Sequence, residues 1–276
     1  MILPIHFFTL VHNSMPFIKH HLKVFQKLKR PWTWHIAEGI TPIPTWFNMP
    51  GRITPDMHNK GISTDGTHEY LQEIKSKNVK LHGLSEHYLT DQCQAMLSSI
   101  CDNCLAWQVD CDEYWTAEQI ERMASMFEAQ PTRTAAWFLC RFFVGPDLIL
   151  TGRDCAGNNT SYEWKRVWRW SPSCCYTKHD PPVVEFNGRD ISFEHPFWHN
   201  DTEKADLVFN HYAYVNKAQV RFKEVRYGFA GATEAWERLQ RHNQFPSPIE
   251  SFLPWLGKGT VDRAPKEHSW TAYSAE

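Results

Sequence analysis

The run Leu105-Ala106-Trp107-Gln108-Val109 ends in Asp110-Cys111-Asp112-Glu113, and this junction constrains the chain more than any other feature. An apolar run of strand length that stops in Asp-x-Asp puts two acids at the C-terminal end of a strand. In an open α/β sheet, ligands bind outside that end. Two carboxylates so close repel each other unless a cation lies between them. Their hard oxygens suit Mg2+ or Mn2+, ions that bridge one or two carboxylates to substrate phosphates. The pattern points to a metal and a diphosphate. The competing reading is two solvated acids at a strand end, and Asp-x-Asp alone is common. The apolar run before it and Glu113-Tyr114-Trp115 after it favour a site.

The flanking segments alternate. Residues 2–11 read as a strand ending at His12-Asn13. Pro16 sits just inside a helix start, Phe17, Ile18, His21, Leu22, Phe25 and Leu28 recur at helical spacing, and Pro31 ends the helix. Residues 32–37 form a second strand ending in Glu38-Gly39. A loop rich in Pro, Gly and Asn follows to about residue 66, a length that is often functional. Next come a helix over 67–77 capped by Thr67, a strand over 79–82, a helix over 90–102 and the strand 104–109. This alternation predicts a parallel sheet with right-handed crossovers.

Beyond the acids the pattern predicts a helix over 117–129, a strand over 134–144 and shorter strands over 163–170 and 174–179. A strand over 207–215 and helices over 216–227 and 233–242 follow, then an irregular Pro-rich end. The expected fold class is α/β, a single domain with a mixed sheet flanked by helices. Residues 1–115 would be a nucleotide-binding half, 116–245 an acceptor half and 246–276 a C-terminal extension or tail.

At 276 residues the chain suffices for one large domain or two small ones. A formal net charge of -2 gives no electrostatic reason to expect nucleic acid or an anionic membrane as partner. The 13 Trp, 17 Phe and 9 Tyr suit stacking on sugars or bases, although many must simply fill the core. No apolar stretch approaches the roughly 18–20 residues of a membrane span. Residues 1–11 lack a basic start and are interrupted by Pro4 and His6, so they read as a strand, not a signal peptide. A cytoplasmic protein is expected, with the Asn158, Asn159 and Asn200 triplets unglycosylated and the eight cysteines reduced. Cys101-x-x-Cys104 with Cys93 and Cys111 raises zinc, but no second CxxC or nearby histidine pair completes four ligands, and buried free thiols are expected.

The order of these signals resembles a known family. A strand ending in Val11-His12-Asn13-Ser14, a strand ending at Glu38 and a strand ending in Asp110-x-Asp112-Glu113 resemble the nucleotide-diphospho-sugar glycosyltransferases of the GT-A (Rossmann-like) fold, family 2-like members above all. Lys165-Arg166-Val167-Trp168-Arg169-Trp170 with Thr177-Lys178-His179-Asp180 resembles the family's Arg-Leu-Phe-Arg and His-Glu segments. Asn210-His211-Tyr212 with Phe222-Lys223 resembles a late His-Tyr and Lys segment. The resemblance covers about residues 4 to 228. The acid usual after Asn13 is missing, and Asp180 stands where relatives tend to have Glu.

The resemblance implies a nucleotide-sugar donor (UDP- or GDP-sugar), Mn2+ or Mg2+, a glycan or other hydroxyl acceptor, and an inverting transfer. In that scheme Asp112 leads the metal ligands, with Asp110 acting through water or on the donor ribose, and His211 completes the shell. Asn13 and Glu38 would face the nucleotide. The acceptor hydroxyl needs a base, a role in which a positioned carboxylate contributes on the order of 10²–10⁴ in rate. Asp180 is first choice, with Glu185 and then Glu113 as rivals; a plain turn residue before Pro181-Pro182 is the bland alternative for Asp180. Arg166 and Arg169 could each pair with donor phosphates, but three residues apart on a strand they face opposite sides. Two other classes stay open: a metal-dependent phosphohydrolase or nucleotidyltransferase using the same acids, and a noncatalytic sugar-binding protein. A nucleotidyltransferase would open with a Gly-rich basic loop, which His12-Asn13-Ser14-Met15-Pro16 is not.

Overall fold

A computed structural model describes residues 2–40, 53–83, 89–151, 164–179 and 181–274. They fall into two compact units. The first holds 2–40, 55–138 and 164–207, and the second holds 53–54, 139–151 and 208–274.

In the first unit, strands β1 (Ile5–Val11), β2 (Trp32–Glu38), β3 (Val79–His82) and β4 (Cys104–Gln108) are mutually parallel and ordered β3-β2-β1-β4. Helices α1 (Ile18–Phe25), α2 (Thr67–Ile74) and α3 (Leu89–Leu97) lie between successive strands, as the alternation predicted. After the two-residue strand β5 (Glu113–Tyr114) and helix α4 (Ala117–Ala129), β6 (Ala135–Trp137) closes the sheet's far edge. The strand between β4 and β6 is antiparallel to both: β9 (Lys165–Trp170), numbered after β7 (Cys140–Gly145) and β8 (Leu148–Leu150) of the second unit. A three-stranded antiparallel sheet, β10 (Cys174–His179), β11 (Pro182–Phe186) and β12 (Arg189–Asp190), completes the unit with the short helix α5 (His199–Lys204). The architecture is a mixed α/β sheet flanked by helices.

Both faces of the large sheet are covered, which is why its central strands read as nearly unbroken apolar runs. On one face Phe8, Ala106, Trp168, Met96, Tyr176 and Val184 share a core. On the other, Phe7 stacks on Phe25 of α1 with ring centroids 3.8 Å apart. Helix α4 starts at a capping box in which Thr116 accepts from the Gln119 amide, and its buried face is Ile120, Met123, Ala124 and Phe127.

Two sequence expectations are corrected. Residues 134–144 are two strands, because β6 pairs with β9 while β7 pairs with β8. Two buried apolar runs in series carry no periodicity that marks the break between them. Thr67 is the first residue of α2 and not its cap. Its hydroxyl accepts from the Ser14 amide, while Asp65 accepts from the Thr67 amide.

The second unit pairs strands in the order β14 (Ser247–Pro248), β15 (Thr260–Arg263), β8, β7 and β13 (Phe209–His211), with β13 parallel to β7. Helices α6 (Lys217–Tyr227), α7 (Ala232–Arg241) and α8 (Trp270–Ser274) belong to it. The C-terminal stretch that read as irregular supplies β15, whose Val261 is fully buried. No helix among the described residues is long and apolar enough to cross a membrane.

Candidate functional site

The strand order reverses at β1. The chain moves outward from β1 to β2 to β3, then returns to place β4 on β1's other side. Such a switch point opens a crevice at the carboxyl ends of the strands. Val11 is level with Glu38 across β1 and β2, and the Val109 amide donates to Phe8 O across β1 and β4. The segments that follow all three strands therefore emerge on one edge, and Asn13, Glu38 and Asp110 lie there.

Asp110 is held from both sides. Arg166 Nη2 lies 3.2 Å from one carboxylate oxygen, and Gln108 Nε2 donates to the other at 3.5 Å. Arg166 is itself clamped by Glu113, donating through Nε at 2.9 and 3.0 Å and through Nη2 at 2.5 Å. Glu113 is fully buried and the Arg166 side chain is 5% exposed, whereas Asp110 keeps 37% exposure. Burial works against the Arg166 charge, but Glu113 and Asp110 outweigh it and raise the guanidinium pKa above its ordinary range. The cation beside the first acid of the motif is thus an arginine of the chain. Clamped in this way, Glu113 is a structural anion, not an accessible base.

Helix α1 shapes the acid loop. His21 Nε2 donates to Cys111 O at 3.0 Å, and His20 Nε2 donates to Trp115 O at 3.2 Å. These bonds fix the carbonyl just before Asp112 and the one that closes the segment at Trp115; Asp112 itself is half-exposed. Burial pushes the His21 pKa down to about 3, so the ring is a neutral donor at pH 7.

Asn13 has a left-handed backbone (φ 46°), and its amide is fully used. Nδ2 donates to Met57 O at 2.7 Å, and Oδ1 accepts from the Thr64 amide at 2.8 Å. It therefore ties the 57–64 loop to the strand edge. Glu38, mostly buried, accepts from the Ser63 amide at 3.1 Å and pairs with His68 Nδ1 at 2.7 Å. Glu38 and His68 line a cavity of about 250 Å³ with Ile36, Leu71, Lys75 and Leu81.

Glu185 sits on β11 on the face opposite Val184, accepting from Thr177 Oγ1 at 3.1 Å. The structure does not bring it to the Asp110 network. Asp180 lies outside the described residues. His211 belongs to the second unit, on β13, with Phe142 edge-on at 5.0 Å. Arg169 turns away from Arg166, as strand alternation predicted, and donates to Phe127 O and Arg133 O. The seven described cysteines are free thiols. Among the described residues no group of three or more His, Cys, Asp or Glu is arranged to hold a metal.

Sequence reasoning missed the supporting polar groups: Gln108, His20, His21, His68 and Tyr176, whose hydroxyl donates to Gln108 Oε1 at 3.0 Å. Only Gln108 carried a signal, as the one polar residue inside the apolar run. It also missed a histidine chain across the sheet. His6 Nδ1 lies 2.9 Å from His35 Nε2, and His35 Nδ1 lies 3.0 Å from His82 Nε2. Burial lowers His35 to about 3 and His6 to about 4, and lowers His82 as well. These folded-state pKa values lie below the unfolded value near 6.5, so the unfolded chain binds more protons in acid. Stability from these rings is complete above pH 6.5 and falls as pH drops toward 3. The two deeply buried rings, His21 and His35, each add a slope of ~1.4 kcal/mol per pH unit within that window. Denaturant titrations at pH 7, 5.5 and 4.5 should show this loss, and His35→Gln should remove the share due to His35 while that of His21 remains. A stability unchanged between pH 7 and 4.5 would contradict the neutral buried chain.

No family model matches the sequence, and no curated protein does. Among solved structures the chain is similar to the mannosyltransferase PcManGT from Pyrobaculum calidifontis, in complex with GDP-Man and Mn2+. The two share 11% identity at a TM-score of 0.45, over 91% of this chain and 67% of that one. Similarity to S. aureus TarS is 13% in identity at a TM-score of 0.42, over 60% of this chain and 47% of that structure. A CMP:2-keto-3-deoxy-manno-octonic acid synthetase with CTP is 10% identical at a TM-score of 0.35, over 83% of this chain and 86% of that one. The chain thus spans about half the length of the TarS structure it matches. At these values the likenesses assign no residue a role.

Proposed function

We propose that the protein is a glycosyltransferase of GT-A type that moves a sugar from a UDP- or GDP-sugar to a hydroxyl acceptor, with inversion. The observation that carries this reading is the convergence of Asn13, Glu38 and the Asp110-x-Asp112 loop on one edge of the sheet, at its topological switch point. The nucleoside would lie along β1 and β2 against Glu38, and the diphosphate against the acid loop.

Asp112 is the carboxylate that would hold Mn2+ or Mg2+. Its hard oxygens fit such an ion, and Asp110, already paired with Arg166, suits the donor ribose or a metal-bound water better. A bound ion would neutralise charge developing on the leaving diphosphate. His211 remains a proposed third ligand. The acceptor hydroxyl would be deprotonated from the β10–β11 hairpin, the element that carries Asp180 and Glu185.

A thermal-shift panel of UDP- and GDP-sugars with and without Mn2+ tests the reading, since a ligand that binds only the folded state raises its stability. Stabilisation by one nucleotide class, greater with Mn2+, is expected, and no shift with any nucleotide sugar would overturn it. Glu38→Ala should weaken nucleotide binding by roughly 1–3 kcal/mol, the cost of a lost buried hydrogen bond. An unchanged affinity by calorimetry would place Glu38 outside the site.

A further inference from the structure

Most large rings of the protein are buried, but Phe193 and Trp198 keep 52% and 41% exposure, and they stand together on one small platform. Trp137, 2% exposed, forms its centre. The Trp137 ring lies 5.2 Å from Phe193 and 5.3 Å from Trp198, whose rings are 6.3 Å from each other. Its indole N–H donates to Ser192 O at 2.9 Å, which ties it to the residue before Phe193. The Lys165 ammonium stands over two of these rings, 5.3 Å from the Trp137 centroid and 5.2 Å from that of Phe193. The Lys165 side chain is 1% exposed and meets Asp190 Oδ2 at 3.4 Å. The buried cation therefore holds the rings from the protein side, and their outer surface is fixed before anything binds to it.

The platform stands on the same edge of the sheet as the acid loop. Strand β9 runs antiparallel to β4 with Val167 opposite Trp107, so Lys165 starts β9 at the carboxyl end of β4. Trp137 pairs with Lys165 and ends β6 at that edge. Residues 195–197 run alongside β6 in parallel: the Phe197 amide donates to Ala135 O, and the Trp137 amide donates to Phe197 O. Trp198 follows them and so emerges at the same edge. In the order β2-β1-β4-β9-β6, strand β6 is two places from β4, roughly 10 Å at the usual strand spacing. It is four places from β2, roughly 19 Å, so a nucleoside against Glu38 would not reach the rings.

A pyranose ring matches what this surface offers. Its C–H groups gather on a flat apolar face, and its hydroxyls radiate around the rim. The negative face of an aromatic ring attracts those C–H groups. Polar groups border the rings: Asp190, whose side chain is 21% exposed, accepts hydrogen bonds, and the exposed Trp198 carries an indole N–H donor. The apolar area is too small for a protein partner. Half of the 150–250 Å² that one aromatic side chain can bury, taken for two rings, is roughly 200 Å². A stable protein interface takes about 800 Å² from each side. Residues 189–204 carry the acids Asp190, Glu194, Asp201 and Glu203 against Arg189 and Lys204, a balance that repels anionic lipid and acidic sugars. We propose that Phe193, Trp198 and Asp190 form a subsite for a neutral pyranose unit of the acceptor glycan, beyond the unit that reacts at the acid loop. The proposal rests on the transferase reading and deepens it: the acceptor is a glycan of two or more sugars, because the separation of β4 from β6 exceeds one pyranose ring. Trp137 and Lys165 are positioning residues.

Calorimetry and proton–nitrogen NMR of the indole N–H signals test this, with Trp198 identified by its loss in Trp198→Phe. The probes are cellohexaose, maltohexaose and mannohexaose, with hexagalacturonate as the acidic counterpart. At least one neutral hexasaccharide should bind and shift the Trp198 signal. Phe193→Ala and Trp198→Ala should each weaken that binding about tenfold, the size of loss seen when a stacked ring is cut to alanine. Trp198→Phe keeps a ring and should recover most of it. Phe186→Ala removes an exposed ring outside the platform and should leave the affinity unchanged. The subsite is overturned by a protein that binds none of the neutral probes, by binding indifferent to both alanine variants, or by tighter binding of hexagalacturonate. A parallel loss of UDP or GDP affinity in Phe193→Ala would place the ring at the donor instead, and a dimer in sedimentation that Phe193→Ala disperses would give the surface to a second copy; either overturns the subsite. Hexasaccharide binding through these rings in a protein that binds no nucleotide sugar would overturn the transferase reading, and the acceptor role with it, while leaving a pyranose site. Nucleotide-sugar binding without hexasaccharide binding would do the reverse.

Discussion

Arg166→Met should destabilise the protein by about 3–5 kcal/mol, the range for removing one partner of a buried ion pair. Glu113 is fully buried, and Arg166 meets it through Nε and Nη2. Without the guanidinium, Glu113 must bury an uncompensated charge or take up a proton, and Asp110 loses its cation as well. The loss reflects the stranded anion more than the net worth of the pair. Arg166→Met combined with Glu113→Leu should therefore recover much of the stability, because an apolar pair of similar volume avoids desolvating two charges. Denaturant unfolding of the parent, the single variant and the double variant measures both effects. A single-variant loss under about 1 kcal/mol would mean that water reaches the pair.

Asp112→Ala should abolish Mn2+-dependent nucleotide binding and leave the fold intact. The side chain is half-exposed, and the loop around it is fixed by the His20 and His21 bonds to backbone carbonyls, which the substitution does not touch. A nucleotide present at a hundred times its Kd stabilises the parent by ~2.7 kcal/mol. The variant should lose the Mn2+-dependent part of that gain while keeping its own melting temperature within a degree or two of the parent's. A variant that binds UDP or GDP with Mn2+ as the parent does would remove Asp112 from the metal site. The contrast with Arg166 follows from burial, since the Arg166 side chain is 5% exposed and Asp112 is half-exposed.

The alternation of strands and helices through residue 109 was legible because each element carried its own period and its own stop. Glu38-Gly39 ends β2 and Asp110 ends the run of β4, whereas α1 stops at Phe25, well before the Pro31 that read as its end. The opposite facing of Arg166 and Arg169 was legible for the same reason, since alternation along a strand is a local property. The break between Trp137 and Cys140 was not, because both flanking runs are buried and their partners, β9 and β8, are distant in the chain. Nor was β15, whose register is set by β8 more than a hundred residues earlier.

The same division runs through the site. Local sequence determined that two acids would follow a buried strand, and it placed Glu38 and Asn13 at the ends of two others. Only the tertiary structure decided which cation stands beside Asp110, because Arg166 reaches it from an antiparallel strand 56 residues later in the chain. Tertiary structure also decided that Glu113 is an internal anion and that His20 and His21 hold the acid loop. Each of these is a contact between groups far apart in sequence, formed where burial makes an unpaired polar group costly. That cost depends on what surrounds a residue in three dimensions, and residue type and spacing do not encode it.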